Sequence, residues 1–322
     1  EQWLEKIAGT IRPTTLTRYQ GAVRIHINPR LGDKPITQVT GKDVQKLYDA
    51  LASHGNQITG KGLASSTIRG IHSMLHEALD AAKQAGLIPW NPTEEIPTPK
   101  FACKVKQILT DEQLEVFMAI IQQDDIWHDF FYTELTTGLR RGEICGLKWT
   151  DFDEIDGTLK VRRTIHQEKG GKLTTWDTKT AAGTRTIILP PSTAALLQER
   201  KKSALTEWIF PNPLKPEQPT RPETAYDRMK ALLKEAGLPS IRFHDLRHTF
   251  ATHALASGVD AKTLSGILGH TKASFTLDTY THVTGDMQRT AAEIVGDFMT
   301  EILGEEMKPW QNAENEGTGA SI

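Results

Sequence analysis

Apolar residues recur at helical spacing through the first third of the chain. Ile68, Ile71, Leu75, Leu79 and Ala82 share one face of a segment from Ser65 to Ala85, the strongest such pattern present. Thr14 to Ile27 and Gly41 to Ser53 carry weaker versions, so residues 1–88 are predicted to form a helical unit. Pro89, Pro92, Pro97 and Pro99, mixed with Glu94 and Glu95, cannot continue a helix, and residues 89–107 are predicted to be an exposed linker. A second unit, residues 108–285, opens with a helix at Asp111, where Thr110 can cap and Gln113 can complete a capping box. Three runs rich in β-branched residues follow, Leu159 to Ile165, Lys172 to Trp176 and Arg185 to Leu189, separated by Gly170-Gly171 and by Lys179 to Gly183. They predict one small antiparallel sheet. Helical spacing resumes at Ser192 to Lys201, Glu223 to Ala236, His244 to Ala256, Ala261 to Leu268 and around Tyr280. The fold class is therefore mainly α with a small antiparallel β-sheet, in two domains. Beyond them, Met287, Ala291, Ile294, Val295, Phe298 and Ile302 form an apolar stripe that predicts a C-terminal helix over 286–303, followed by an acidic, disordered tail over 304–322.

Composition changes this picture little, and charge changes it locally. The chain of 322 residues is long enough for two separate cores, and no apolar run approaches the ~18 residues of a membrane span. Two cysteines, Cys103 and Cys145, are too few for a disulfide framework and lack metal-ligand spacing, so both are expected to pack as small hydrophobes in a cytoplasmic protein. The formal net charge of −2 is unlike the basic balance of most DNA-binding proteins. The acid is concentrated at the end: from Asp286 onward eight acidic residues face Arg289 and Lys308, which leaves 36 basic against 32 acidic residues over 1–285. A role on DNA therefore rests on where the Arg and Lys residues sit.

Their placement points to phosphate chemistry. Arg140 and Glu143 stand three apart in Thr137-Gly138-Leu139-Arg140-Arg141-Gly142-Glu143, and His244 and Arg247 repeat that spacing in His244-Asp245-Leu246-Arg247-His248. His270 closes Leu268-Gly269-His270, and Tyr280 lies ten residues further on in Thr279-Tyr280-Thr281-His282. Alone, each has an ordinary reading: a surface ion pair, a capping histidine, a packed tyrosine. In this order they supply two guanidinium forks to hold a phosphoryl group's charge, imidazoles to move protons, and a phenol to attack. A rival reading takes His244, His248 and His253 as metal ligands, but HxxxH without an adjacent glutamate or a further acidic cluster is a poor zinc motif.

The motifs TGLRRGE, HDLRHT, LGH and TLDTYTH, in this order, resemble the signature of the tyrosine recombinases, the phage integrase family. The DTKTAAGTRTI segment and the N-terminal third resemble the integrases of conjugative transposons and related integrative mobile elements most closely. The resemblance implies a two-domain clamp on double-stranded DNA, with a core-type DNA-binding domain at 1–88 and a catalytic domain at 108–285. It implies cleavage and rejoining through a 3′-phosphotyrosyl link on Tyr280, without cofactor, metal or ATP. Arg140 and Arg247 then become the catalytic arginines, His244 the proton-transfer residue, His270 a donor to a phosphate oxygen, and Glu143 a supporting residue. Lys179, in Thr178-Lys179-Thr180, becomes the acid that protonates the leaving 5′-oxygen, with Lys169 and Lys172 as alternatives. Partners implied are double-stranded DNA at attachment or transposon-end sites, further copies of the chain from dimer to tetramer, and accessory DNA-bending or excision factors. The C-terminal helix can dock in trans on a neighbouring copy, and the start at Glu1 without methionine is expected where an arm-binding domain has been removed.

Arg18, Arg24, Arg30 and Lys34 near the first long helix, and Ser65, Ser66, Thr67 and Arg69 at the start of the strongest one, are the candidates for contacts to phosphates and base edges. Two further functions stand beside recombination: strand relaxation of the type IB topoisomerase kind, and a DNA-binding regulator without catalysis.

Overall fold

A computed structural model describes residues 1–97, 107–168, 170–177 and 184–270, with Glu293, Val295 and Asp297 beyond them. The chain divides into two compact units, Glu1–Val105 and Lys106–Ile322. No helix among the described residues is long and apolar enough to cross a membrane.

The first unit is helical, as its spacing predicts: α1 (Gln2–Ile7), α2 (Pro13–Ala22), α3 (Asn28–Leu31), α4 (Gly41–His54) and α5 (Ser65–Gln84). The predicted helix Thr14 to Ile27 is not uniform, because Val23–Ile27 widens into a π turn that joins α2 to α3. Thr40 and Asp43 form a capping box that fixes the start of α4. Val44, Leu47, Tyr48 and Leu51 of α4 pack against Ile68, Ile71, Leu75 and Leu79 of α5 to make the core. Tyr48 Oη lies 2.8 Å from His72 Nδ1, so its polar tip is satisfied.

The proline-rich segment corrects one expectation. Residues 89–97 are not uniformly exposed: Asn91, Pro92 and Thr93 are buried. Asn91 donates to the His76 carbonyl (3.1 Å), Thr93 Oγ1 sits 2.7 Å from His76 Nδ1, and the backbone N–H of Thr93 donates to Asn91 Oδ1 (3.0 Å). α5 already ends at Gln84, with Gly86 in the left-handed conformation (φ 72°), and the prolines that follow do not prevent a turn from packing back on it. Residues 98–106, including Cys103, lie outside the described set.

The second unit contains α6 (Asp111–Ile121), α7 (His128–Thr137), α8 (Arg141–Ile144), α9 (Pro191–Lys202), α10 (Pro222–Glu235), α11 (Phe243–Ala256) and α12 (Ala261–Leu268). Thr110 and Gln113 cap α6 as predicted. The strands are β1 (Phe152–Asp153), β2 (Thr158–Val161), β3 (Arg163–Gln167), β4 (Leu173–Asp177), β5 (Arg185–Ile188), β6 (Pro211–Asn212) and β7 (Lys215–Pro219). Among the described residues every pairing is antiparallel, but the single predicted sheet divides into β1-β2-β5 and β3-β4, and β6-β7 forms a further pair. The run Leu159 to Ile165 breaks at Arg162, so β2 pairs with β5, placing Leu159 opposite Ile187, while β3 pairs with β4.

The core of this unit is aromatic at its centre. Phe130 meets Phe131 and Phe210 edge to face, each at 5.3 Å between ring centroids, and Phe243 joins them. Because Phe243 is the first residue of α11, its burial fixes where that helix starts and which way His244 and Arg247 face. Cys145 is fully buried in the same core and packs as a hydrophobe.

Candidate active site

Two helix ends build the frame. α7 stops at Gly138 in the left-handed conformation (φ 59°), and α12 stops at Gly269 in the same way (φ 64°). Only glycine fits the first: a Cβ on Gly138 would lie 2.3 Å from Phe250 Cδ1. Carbonyls released at these ends accept from the two arginines. Arg247 Nη1 donates to the Gly138 carbonyl (2.8 Å) and its Nη2 to the Leu268 carbonyl (2.7 Å), while Arg140 Nη2 donates to the Gly269 carbonyl (3.0 Å). Arg247 is 1% exposed, so its guanidinium is held inside the protein, whereas the Arg140 side chain is 40% exposed at the rim.

Arg140 and Glu143 interact, although not across a helix face. Arg140 is the residue just before α8, and Glu143 reaches back to it: the backbone N–H of Arg140 donates to Glu143 Oε2 (3.0 Å) and Nη1 to Oε1 (2.7 Å). Glu143 has a second partner that the sequence reading did not single out. Arg185, at the start of β5, donates to Glu143 through Nη2 (2.9 Å) and Nη1 (3.3 Å), and through Nε to the Ile267 carbonyl (2.6 Å). Burial alone would raise the Glu143 pKa, but the hydrogen bonds and charges of Arg185 and then Arg140 outweigh it and bring it down to about 2. Glu143 is therefore a fixed anion between two guanidiniums. The one sequence signal for Arg185 was its place in the DTKTAAGTRTI segment.

His244 and His270 complete the cluster. His270 Nε2 lies 3.0 Å from Arg247 Nη2, which fixes the ring against the buried guanidinium. Loss of hydration, followed by the charges of Arg247, Arg140 and His244, lowers the His270 pKa to about 4. Loss of hydration and the charges of Arg247 and Arg140 likewise lower His244 to about 4. His244 nonetheless keeps part of its surface exposed to solvent, and the two guanidiniums add to the lowering. Both imidazoles are thus neutral at physiological pH and able to accept a proton. His248 stacks edge-on against His244 at 4.7 Å. His253 instead faces Leu109 O (3.1 Å) and Asp111 Oδ1 (3.0 Å), so the three histidines do not converge as ligands.

A buried acid lies behind the site. Neither carboxyl oxygen of Glu134, on α7, has a hydrogen-bond partner. Burial pushes its pKa well above the usual carboxylate range; Arg247 opposes the rise and Glu143 adds to it. Its surroundings thus favour the neutral acid, in contrast to Glu143, which two guanidiniums hold as an anion.

Arg140, His244, Arg247 and His270 are thus brought together, with Glu143 beneath Arg140. Lys179 and Tyr280 lie outside the described residues, as does Lys169; Lys172 is exposed at the turn before β4. In the first unit, Arg18, Ser66 and Thr67 line one cavity of about 410 Å³ with Tyr19, Ala22, Ile25, His26 and Met74. Arg24, Ser65 and Arg69 are exposed, and Arg30 donates to the His26 carbonyl (3.2 Å). Lys34 pairs through its ammonium with Asp43 of the α4 cap.

Comparison with known proteins agrees with this geometry. Residues 107–286, more than half of the chain, match the phage integrase family, and residues 1–52 match the phage integrase N-terminal SAM-like domain. A tyrosine recombinase XerC-like protein of Caldanaerobacter subterraneus subsp. tengcongensis is 29% identical over 92% of this chain and 81% of its own length. The ICEBs1 integrase of Bacillus subtilis is 26% identical over 80% of this chain and 73% of its own. Among solved structures, the Tn1549 transposon integrase in complex with a circular intermediate DNA superposes with a TM-score of 0.75, at 26% identity over 90% of this chain and 97% of that one. A lambda integrase dimer bound to a core site shares the fold, with a TM-score of 0.65 and 22% identity over 85% of this chain and 94% of that one. The chain belongs to the phage integrase family: it is a tyrosine recombinase, an enzyme of site-specific recombination, akin to the integrases of mobile elements.

Proposed function

We propose that this chain cleaves and rejoins double-stranded DNA at the ends or attachment sites of a mobile element, integrating and excising it, with Arg140, Lys179, His244, Arg247, His270 and Tyr280 as the catalytic residues. The observation that carries the proposal is the convergence of two guanidiniums and two neutral imidazoles on one space, each arginine fixed by carbonyls at a helix end. Such a space fits a phosphodiester. Arg140 and Arg247 neutralise the non-bridging oxygens, and charge neutralised by fixed donors needs no metal. Tyr280 Oη attacks phosphorus and gives its proton to neutral His244. The bond from phosphorus to the 5′-oxygen breaks, Lys179 protonates that oxygen, and the 3′ end remains on Tyr280. The ester keeps the bond energy, so a 5′-hydroxyl from another strand reverses the step without ATP.

DNA-bound Tn1549 integrase supports duplex DNA as the substrate. Exchange between two duplexes cuts four strands and each chain offers one Tyr280, so copies assemble from dimer to tetramer on the DNA. Residues 1–88 bind the core site, with the cavity at Arg18 and Thr67 against the backbone. Residues 286–303 dock in trans. The reaction takes place in the cytoplasm, a reading supported by the bacterial and phage sources of the relatives. The test is covalent trapping on nicked suicide DNA in EDTA and without nucleotide. An adduct under these conditions supports the proposal, and its loss on chelation would return the metal reading.

A further inference from the structure

The first residue of β5 touches more of the site than its place in the chain explains. Arg185 is 6% exposed, and Glu143, its partner, 3%. Its guanidinium spends Nη1 and Nη2 on Glu143 and Nε on the Ile267 carbonyl. Glu143 holds Arg140 by side chain and backbone. Ile267 lies in the last turn of α12, whose neighbouring carbonyls, Leu268 and Gly269, grip Arg247 and Arg140, and after which His270 follows directly. One planar fork thus bridges a β-strand, the acid under Arg140 and the helix end that carries both arginine acceptors.

We infer that Arg185 is a positioning residue: through Glu143 and Ile267 it sets the guanidinium of Arg140 and the α12 end against the scissile phosphate, and it does not itself touch the DNA. The inference rests on the cleavage reading above. Lysine cannot substitute, because a single ammonium cannot present three donors in one plane to a carboxylate and a carbonyl. In chain order Arg185 also follows Lys179 by six residues, so the same fork anchors the strand next to the candidate leaving-group acid.

The experiment compares adduct formation on suicide DNA carrying either an ordinary scissile phosphate or a neutral methylphosphonate at that position. A guanidinium that acts by neutralising phosphate charge is needed on the first substrate and far less on the second. Arg185→Lys is expected to slow single-turnover adduct formation about 100-fold on the phosphate, the order of loss that small misplacement causes, and much less on the methylphosphonate. In an Arg140→Ala background it should add little, since both act through one group. A loss of folded protein would lower both substrates by the same factor, so the substrate ratio separates positioning from folding. Arg185→Gln, which keeps donors without charge, is the second variant and should show the same substrate preference. Equal slowing on both substrates, no slowing, or full additivity with Arg140→Ala would overturn the inference while leaving the cleavage reading intact. A wild-type chain that forms no adduct would overturn the cleavage reading, and this inference with it.

Discussion

Protonation is the residue-scale property most open to test. With His244 and His270 lowered to about 4 from 6.5, both are neutral in the free protein through the physiological range. The second-order rate constant for cleavage at low DNA concentration reports the free protein. It is expected to show no acid limb at pH 6.5 and to fall only well below it; a limb centred at 6.5 would mean that the guanidiniums do not govern the imidazoles. Glu134 makes the opposite case. Its folded pKa is raised, so the folded state costs nothing extra below the unfolded value of 4.5 and loses stability as pH climbs above it. Glu134→Gln should therefore stabilise the chain at pH 7 to 8 by roughly 1–3 kcal/mol and not at pH 4, as read by urea denaturation at each pH. Equal effects at both pH values would show that the folded state does not raise the pKa of this carboxyl. Neither property was legible in the sequence. The order of motifs identified Arg140, His244, Arg247 and His270, but the cost on Glu134 depends on what surrounds it in space, and Arg185 meets Glu143 from 42 positions away.

At the scale of elements, helix ends do the positioning. Gly138 and Gly269 were visible as members of motifs, yet nothing in their spacing says that the carbonyls at those ends hold arginines. Gly138→Ala combines a positive φ with a Cβ 2.3 Å from the Phe250 ring, so it should cost about 2–4 kcal/mol and displace the acceptor of Arg247. Denaturation and adduct assays together check this: cleavage by the molecules that remain folded is expected to drop further than DNA binding does. Unchanged cleavage would mean that Arg247 keeps its place without that carbonyl. The helices themselves were readable from apolar spacing and capping boxes, which are local signals. The β6-β7 hairpin was not, because Pro211, Pro213, Pro216 and Pro219 hide an edge pairing that needs few ladder bonds. The split at Arg162 escaped for a related reason, since strand pairing is decided by partners distant in sequence.

At the scale of the whole molecule, each unit carries its own part of the proposed reaction. The mildly basic balance of residues 1–285 leaves DNA affinity to placed cations, among which Arg18 beside the cavity is the clearest candidate, whereas the Lys34 ammonium is engaged by Asp43. Arg18→Ala should weaken binding of core-site DNA and lower the slope of log affinity against log salt by about one, while Lys34→Ala should leave that slope unchanged. Filter binding across a salt series measures both; the reverse pattern would move the backbone contact from the Arg18 cavity to the start of α4.

The central claim is that this chain cuts DNA by joining it to Tyr280, and the most direct measurement is the identity of the joined residue. Wild-type protein is trapped on nicked suicide DNA, digested, and the nucleotide-bearing peptide is located by mass. The account predicts one modified peptide, with the 3′-phosphate on Tyr280, and none from Tyr280→Phe although that variant still binds the same DNA. A 3′-phosphate mapped to any other residue, or an adduct that persists at full yield in Tyr280→Phe, would contradict it.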